Sequence, residues 1–494
     1  MGFLFSGAAL GLTCLTLHRL VPLGFMTSAE AGLEKKQSWP SLVREAIRGS
    51  HQDYTSGPIS RSLVLLAVPM VLETAMESLF ALVDVFFVSR LGSDAVATVG
   101  LTESMMTLVY TLAIGLSIGV TAMVSRRVGE KDPEGAARAA VQAIVLGIVV
   151  SVAIAVVGIV YAPDLLALMG ASESVQAAGS SYTRVMLGGS VTVVLIWLIN
   201  AVFRGAGDAS IAMRTLWLAN GINIILCPAL IFGLGPFPEL GLTGAAVATT
   251  IGRGVGVLYQ VRQLFRRDGR VLIRKADLRI IPGVLSALIK LSGTGTFQVF
   301  VATSSYIGVV RVLSTFGSTV LAGYTVAIRL MIFVMLPSWG LSNAAATMVG
   351  QALGAEKPDR AEGSVKLAAI YNTFWMGFVS LVFLALAPQL IGVFTEDPEV
   401  ARHGVLSLRV MAVGLAFYGY GMVLHQSFNG AGDTWTPTWL NVAFFWMLEI
   451  PLAWFLSRPW GPLGVYLSIP IAEISLTIAS AWMFRRGKWK IQKV

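Results

Sequence analysis

The chain has 494 residues, of which 55% are hydrophobic and 13% charged, with a formal net charge of +9 and a mean hydropathy of +0.74. Soluble globular proteins carry about 25% charged residues, so this composition excludes a soluble enzyme, a disordered protein and a disulfide scaffold. At about 20 residues per span, the length leaves room for roughly a dozen transmembrane helices.

The N-terminal region, residues 1–57, precedes the first long apolar stretch, and we expect a poorly ordered cytoplasmic extension there. Met1–Leu23 is fairly apolar, but no basic residue precedes it, so the segment does not match a secretory signal peptide. Trp39–Arg48 has the pattern of a short amphipathic surface helix.

Twelve apolar stretches of spanning length follow. Their apolar runs are continuous rather than alternating, which predicts transmembrane helices rather than membrane-spanning strands. The predicted fold class is therefore an all-α polytopic membrane protein with twelve transmembrane helices. The stretches lie near residues 63–88, 95–124, 139–162, 180–203, 212–232, 242–264, 285–312, 320–350, 365–387, 404–428, 438–457 and 463–484.

The basic residues are distributed very unevenly between the two sets of loops. Of the 36 Lys and Arg, 28 fall in the termini and the loops on the same side, 4 in the opposite loops and 4 within spans. By the positive-inside rule, both termini and the basic segments 267–283 and 487–494 are predicted to be cytoplasmic in a cell (inner) membrane protein. The net charge is thereby explained by topology, so we expect no nucleic-acid partner.

The chain also matches itself at an offset of 225 residues, without a gap from 66–208 to 291–433. Glycine, proline, arginine and aspartate recur in register, which apolar composition alone would not produce. We therefore predict two six-helix lobes, 58–266 and 284–486, joined by the linker 267–283. An even number of spans per repeat makes the two copies parallel, with the substrate path between them. Matched segments include Gly115–Ser117 with Gly340–Ser342, Ala162–Pro163 with Ala387–Pro388, and Phe203–Asp208 with Phe428–Asp433.

Three carboxylates lie in the first span, at Glu73, Glu77 and Asp84. Their spacing places them on one helical stripe together with Phe80. A charge within a span costs roughly 2.5–3.5 kcal/mol on insertion scales, so ionisable residues at such positions indicate a functional site. We predict that Asp84 and Glu77 bind a coupling cation, Na⁺ or H⁺, and that Glu73 contributes to the substrate cleft. A helix-capping or water-facing role is the alternative for Asp84, which lies close to the predicted end of its span.

Other polar and bulky residues within spans form a second set of candidates. In the second repeat, Gln298, Ala302 and Val309 align with the three acidic positions, so the coupling ion is predicted in the N-terminal lobe. Each polar candidate has interhelical hydrogen bonding as its alternative role. The additional coupling candidates are Asn200, Asn223 and Thr249, and the cleft candidates besides Glu73 are Gln298, Glu449, Met105 and Trp339.

An ordered set of motifs resembles the multidrug and toxic compound extrusion (MATE) transporters over about residues 58–486. Pro69 is followed by Leu82–Gly92 (LVDVFFVSRLG), Gly-Leu-Ser recurs in both halves, and Gly-Ala-Gly-Asp follows spans four and ten. The resemblance implies two lobes around a V-shaped cleft and exchange of sodium or protons for organic cations or other amphipathic compounds.

Within this resemblance, Asp84 matches the family's acidic residue in the first span, and Asn223 and Thr249 match polar residues of the same lobe. Glu77 stands where some prokaryotic members have Gln. Members with a second Asp place it before the proline of span five, where this chain has Cys227 before Pro228. The two-carboxylate arrangement of spans one and five is therefore absent, and Glu77 is our candidate for the missing carboxylate.

Two other functions compete with efflux. A flippase for a lipid-linked saccharide, from the related superfamily, would use several arginines to hold phosphates, for which Arg184, Arg253, Arg329 and Arg409 are available. A membrane-embedded enzyme would need clustered His, Asp or Glu, whereas the four His are scattered and no Walker A or HExxH motif occurs. We predict a non-enzymatic monomer with no cofactor, in contact with membrane lipids and small-molecule substrates.

Overall fold

The computed structural model describes residues 39–49, 52–267 and 269–492, and long helices make up most of this part of the chain. The N-terminal half contains α1 (Trp39–Arg48), α2 (Ile59–Val88), α3 (Ser93–Gly129), α4 (Pro133–Leu168), α5 (Glu173–Gly188), α6 (Ser190–Ala206), α7 (Ala209–Phe232) and α8 (Gly241–Leu264). The C-terminal half contains α9 (Pro282–Leu313), α10 (Ser318–Gly354), α11 (Pro358–Gly392), α12 (Pro398–Gly430), α13 (Trp435–Asn441), α14 (Ile450–Trp460) and α15 (Pro462–Arg485).

The predicted all-α, twelve-span fold is confirmed, because every predicted stretch coincides with a helix or a helix pair. The fourth span is divided at Gly189 into α5 and α6, and in the eleventh a π-helical segment, Val442–Glu449, joins α13 to α14. In the described ranges, eleven helical stretches are long and apolar enough to cross a membrane, and α8 falls outside this set. The reason lies in its buried polar residues, among them Arg253 and Gln260.

The two halves have equivalent local structure at the predicted offset. Short 3₁₀ turns, Ser89–Leu91 and Ser314–Phe316, follow the first helix of each half. Each turn ends in a glycine with left-handed backbone, Gly92 at φ 100° and Gly317 at φ 99°. Glycine is the residue that adopts this conformation at no steric cost, so the recurrence of Gly-Ser in the sequence has a structural cause.

The paired arginines of the repeat also have the same role in both lobes. The Nε of Arg184 donates to the carbonyl of Ile159 at 3.0 Å, and the Nε of Arg409 donates to that of Leu384 at 3.2 Å. Arg409 follows Arg184 by 225 residues, and Leu384 follows Ile159 by the same number. The equivalent interhelical hydrogen bonds indicate a shared structural role for Arg184 and Arg409.

Close glycine contacts between the lobes follow the same symmetry. A Cβ on Gly129 would lie 2.1 Å from the carbonyl oxygen of Gln351, and one on Gly354 would lie 2.2 Å from that of Arg126. These two contacts exchange under the 225-residue offset, as expected for a pseudo-twofold axis between the helices. We call this contact region the lobe seam; it also includes Gly115 against Thr296 and Gly340 against Val71.

The lobe seam lies at the end of the molecule that carries the basic loops. Within the described ranges, the hydrogen bonds that join the two lobes lie in the basic-end half of the helices, from Thr74 with Leu336 to Gln351 with Gly205. At the opposite end, a Cβ on Gly100 of α3 would meet no atom within 4 Å. The interlobe hydrogen bonds and close glycine contacts therefore join the two lobes at the basic end.

The helix α1 confirms the amphipathic segment expected at Trp39–Arg48. It packs on the basic end of the N-terminal lobe, where Glu45 pairs with Arg61 at 3.1 Å and Arg214 donates to the carbonyl of Ile47 at 3.0 Å. The remainder of the predicted N-terminal extension up to residue 38 lies outside the described residues.

The seam predicts a difference between two glycines of the same helix. Gly129→Ala should destabilise the closed seam by about 1–3 kcal/mol, because the added Cβ overlaps the backbone of α10. Gly100→Ala is the matched control and should be neutral or slightly stabilising, since its Cβ enters open space. Thermal unfolding of the purified protein measures both, and equal melting temperatures for the two variants would contradict the seam.

Candidate functional site

The acidic stripe of α2 faces the interior of the N-terminal lobe along part of its length. Glu73 is 5% exposed and Asp84 9% exposed, while Glu77 between them is partly buried. The helix α2 packs against α7, and Asp84 meets Cys227 of that helix, whereas Glu73 is bonded to residues of α6. The stripe predicted from spacing is therefore present, and its members have different partners.

Asp84 lies beside Cys227, whose Sγ is 3.6 Å from its Oδ1. Cys227 is completely buried and directly precedes Pro228 within α7. The structure thus places a thiol, a weak donor, where a second carboxylate would have faced Asp84. The neighbour of Asp84 on α7 is therefore a neutral thiol rather than a second carboxylate.

Two of the predicted coupling residues meet one turn away from this contact. The Nδ2 of Asn223, on α7, donates to the Oγ1 of Thr249, on α8, at 2.9 Å. The Oδ1 of Asn223 is buried and has no hydrogen-bond partner. An amide oxygen held in this way is available to accept a hydrogen bond or to bind a cation.

Arg253, on α8, completes the site and was assigned no coupling role from the sequence. Its side chain is buried, and its Nη2 donates to the hydroxyl of Tyr110 at 3.0 Å. The guanidinium lies over the ring of Phe80 at 5.7 Å and interacts electrostatically with Glu77 and Asp84. The available signal was spacing, since Arg253 follows Thr249 by one helical turn and shares its face.

Asn200 belongs to a different cluster from the one predicted. Its Nδ2 donates to the Oε1 of Glu73 at 3.1 Å, and its Oδ1 accepts from Gln260 at 2.6 Å. The same Glu73 oxygen accepts from the Nη1 of Arg204 at 2.7 Å, which forms a buried ion pair. Glu73, predicted to contribute to the substrate cleft, is therefore held inside the lobe.

This ion pair adjoins the lobe seam. Thr347 of α10 donates to the carbonyl of Arg204 at 3.1 Å, and Gln351 donates to that of Gly205 at 2.9 Å. Glu73 and Arg204 thus stabilise the part of α6 that the other lobe contacts. We expect the pair to act through packing and charge balance rather than through direct contact with a transported ion.

The C-terminal lobe contains the remaining acidic candidate, Glu449. It is buried at the end of the π-helical segment, and Ser305 donates to its Oε2 at 3.1 Å. It also interacts electrostatically with Glu473 of α15, and both carboxylates lie in the lobe opposite Asp84. Glu449 therefore does not lie in the same cluster as the coupling candidates of the N-terminal lobe.

The other three cleft candidates occupy separate surroundings. Gln298 is buried, and its carbonyl accepts from Asn441 at 3.4 Å. Met105 packs partly buried on the core of the N-terminal lobe, whereas Trp339 of α10 is 36% exposed. These residues do not form one cluster, and their contribution to substrate binding stays a prediction.

The donor set around Asp84 fits either coupling ion. In the described part of the chain, no group of three or more His, Cys, Asp or Glu side chains is arranged to hold a metal ion. A proton requires only the carboxylate, whereas a sodium ion requires several oxygens. Asp84, Glu77 and the unpartnered Oδ1 of Asn223 provide candidate oxygens for the second case.

Two six-helix lobes related by a pseudo-twofold axis, with ionisable residues buried in one lobe, define the architecture of a secondary transporter. The match of the MatE family model to residues 69–229 and 296–455 places one matched region in each lobe. The chain belongs to the MatE family, and the resemblance drawn from the sequence motifs is thereby confirmed.

Individual relatives cover most of the chain. A probable multidrug resistance protein of Bacillus subtilis, YoeA, is 25% identical over 88% of this chain and 95% of its own length. A protein of Shewanella oneidensis named as an FAD transporter is 26% identical over 87% of this chain and 95% of its own. A multidrug resistance MATE transporter solved in an outward-facing conformation gives a TM-score of 0.82 at 26% identity, covering 93% of this chain and 100% of that one.

The Glu73–Arg204 pair predicts a rescue between two substitutions. Glu73→Gln alone leaves a buried arginine without its partner and should cost about 3–5 kcal/mol of folding stability. The double change Glu73→Gln with Arg204→Asn copies Gln298 and Asn429, the equivalent residues of the other lobe, and should recover most of the loss. Thermal unfolding of the purified variants tests this, and a double variant no more stable than the single one would contradict the charge-balance role.

Proposed function

We propose that the protein is a secondary active efflux transporter that exchanges sodium or protons for organic cations or other amphipathic small molecules by alternating access. The observation that carries the proposal is the buried carboxylate of Asp84, in contact with Cys227 and in electrostatic range of Arg253. A carboxylate held in a membrane span is costly unless a cation or a proton balances it. Binding of that cation can therefore change the stability of one lobe conformation.

The arrangement of the lobes suggests which state this structure represents. If the basic loops are cytoplasmic, the lobe seam closes the cytoplasmic side, and we interpret the structure as an outward-facing state. An external cation would then reach Asp84 and favour release of substrate outside. Substrate binding from the cytoplasm in the opposite state would favour release of the cation inside, which completes the exchange.

The proposed setting follows from the same topology. We place the protein in the cell inner membrane with both termini in the cytoplasm, as a monomer in contact with lipids. The multidrug names of several relatives support amphipathic small molecules as the substrate class. The Shewanella relative named as an FAD transporter adds flavin nucleotides as a second class to assay.

The flippase alternative receives less support from the arginines. Arg184 and Arg409 are both occupied by backbone carbonyls of neighbouring helices, and Arg253 is buried within one lobe. Arg329 interacts electrostatically with Glu103. These four side chains have separate partners, whereas a saccharide-diphosphate site would require several of them to converge on one ligand.

The first test is ethidium efflux from cells that express the wild type or Asp84→Asn. The variant cannot bind a cation through a negative charge, so efflux should be abolished while membrane insertion and melting temperature are retained. A sodium gradient at fixed pH, and separately a protonophore, identifies the coupling ion.

Asp94→Asn is the matched control, because Asp94 is an exposed aspartate in the first turn of α3. It should retain full efflux. Normal efflux by a stable Asp84→Asn would exclude Asp84 as the coupling residue. Absence of efflux from folded wild type, with ethidium and with FAD, would instead favour the lipid-linked saccharide flippase.

A further inference from the structure

We propose that Arg253 is a permanently bound counter-cation that limits the N-terminal lobe to one transported cation per cycle. This inference rests on the proposed exchange at Asp84 and adds its stoichiometry. It is carried by the position of the guanidinium relative to the acidic stripe, by its incomplete hydrogen bonding and by the charges around it.

The guanidinium lies opposite the middle of the stripe. It lies over Phe80, with 5.7 Å between the guanidinium carbon and the ring centroid. Phe80 is three residues after Glu77 and four residues before Asp84, so all three share one face of α2. Arg253 therefore faces both carboxylates across one aromatic ring, consistent with its electrostatic interaction with each.

The guanidinium is anchored by neutral groups. Tyr110 accepts a hydrogen bond from Nη2 at 3.0 Å, and its ring centroid lies 5.9 Å from the guanidinium carbon. The Nη1 is buried and has no hydrogen-bond partner. Aromatic faces stabilise a cation without neutralising it, so the positive charge of Arg253 remains available to balance an acidic neighbour.

The nearby charges sum to one unbalanced negative charge. Glu73 is paired with Arg204. The exposed Glu103 of α3 interacts electrostatically with Asp84, and Arg329 of α10 balances its charge in the count. The other titratable groups facing Asp84 are Cys227 and Tyr182, which are neutral when protonated. Glu77 and Asp84 together carry two negative charges when ionised, and Arg253 carries one positive charge.

One monovalent cation therefore brings the site to electrical neutrality, and a second would leave an excess positive charge within the lobe. Because net charge is costly in a transmembrane segment, the neutral form is the one expected to cross between the two states. Exchange of one cation for one singly charged substrate then moves no net charge. This holds for sodium and for protons alike.

The experiment measures ethidium, a singly charged cation, accumulated by vesicles that contain the reconstituted protein and a high internal concentration of the coupling ion. A potassium gradient with valinomycin sets the membrane potential, and protein-free vesicles correct for passive entry. The steady-state accumulation by wild type should not change with potential. For Arg253→Gln, two cations should leave per ethidium, so about 60 mV, inside positive, should raise accumulation about tenfold.

Two further variants isolate charge from structure. Arg253→Lys keeps the positive charge. Glu77→Gln combined with Arg253→Gln restores one net negative charge at the site. For both variants, the steady-state accumulation of ethidium should not change with the membrane potential. Arg184→Gln is the control for loss of an arginine within a span, because Arg184 donates to the carbonyl of Ile159 on a neighbouring helix. It should behave as wild type.

The outcomes separate this inference from the proposed function. Wild-type accumulation that responds to potential would overturn the stoichiometry, whatever the variants do. Potential-independent accumulation by a transporting Arg253→Gln would overturn the role of Arg253. Failure of folded wild type to accumulate ethidium or FAD under either ion gradient would reject the exchange at Asp84 on which the inference depends.

Discussion

The cost of holding a charge away from water governs the arrangement of the N-terminal lobe. Three carboxylates on α2 require compensation, and the lobe supplies it differently for each region of the helix. Glu73 has a direct ion pair with Arg204. Asp84 is in contact with the thiol of Cys227 and has the guanidinium of Arg253 at longer range. The charge of Glu73 is therefore balanced within the protein, whereas the balance of the charge of Asp84 depends on the cation or proton proposed to bind there.

The two copies of the repeat share their interlobe contacts but not the charged residues of the lobe interior. Both lobes retain the glycines of the seam, the turn after the first helix and the interhelical arginine, because each of these makes an equivalent backbone contact. The interior residues diverged: Gln298 and Asn429 replace the ion pair, and Val309 replaces Asp84. Packing at the pseudo-twofold axis constrains both copies together, whereas the interior of one lobe can change alone.

Much of the fold was predictable because a membrane span is a local property of composition and length. The twelve helices and the repeat follow from patterns along the sequence, whereas the placement of Cys227 near Asp84 was implied by the family resemblance alone. The grouping of Asn200 with Glu73 was not predictable, because it depends on how α6 rotates against α2. Arg253 is visible in the sequence as a charge in a span, but its position over Phe80 requires the packing of α8 across α2 and α3.

The symmetry of the lobe seam has a consequence for how the opposite-facing state can arise. In transporters with inverted repeats, exchanging the conformations of the two copies turns one state into the other. Here the repeats are parallel, so the same exchange returns the molecule to the state it started from. The second state of the proposed cycle therefore requires a movement other than this exchange, either rocking of the lobes against each other or bending within a helix. Pro69 lies inside α2 and Pro337 inside α10, the helix that each lobe contributes next to the seam, and proline is a common cause of helix bending.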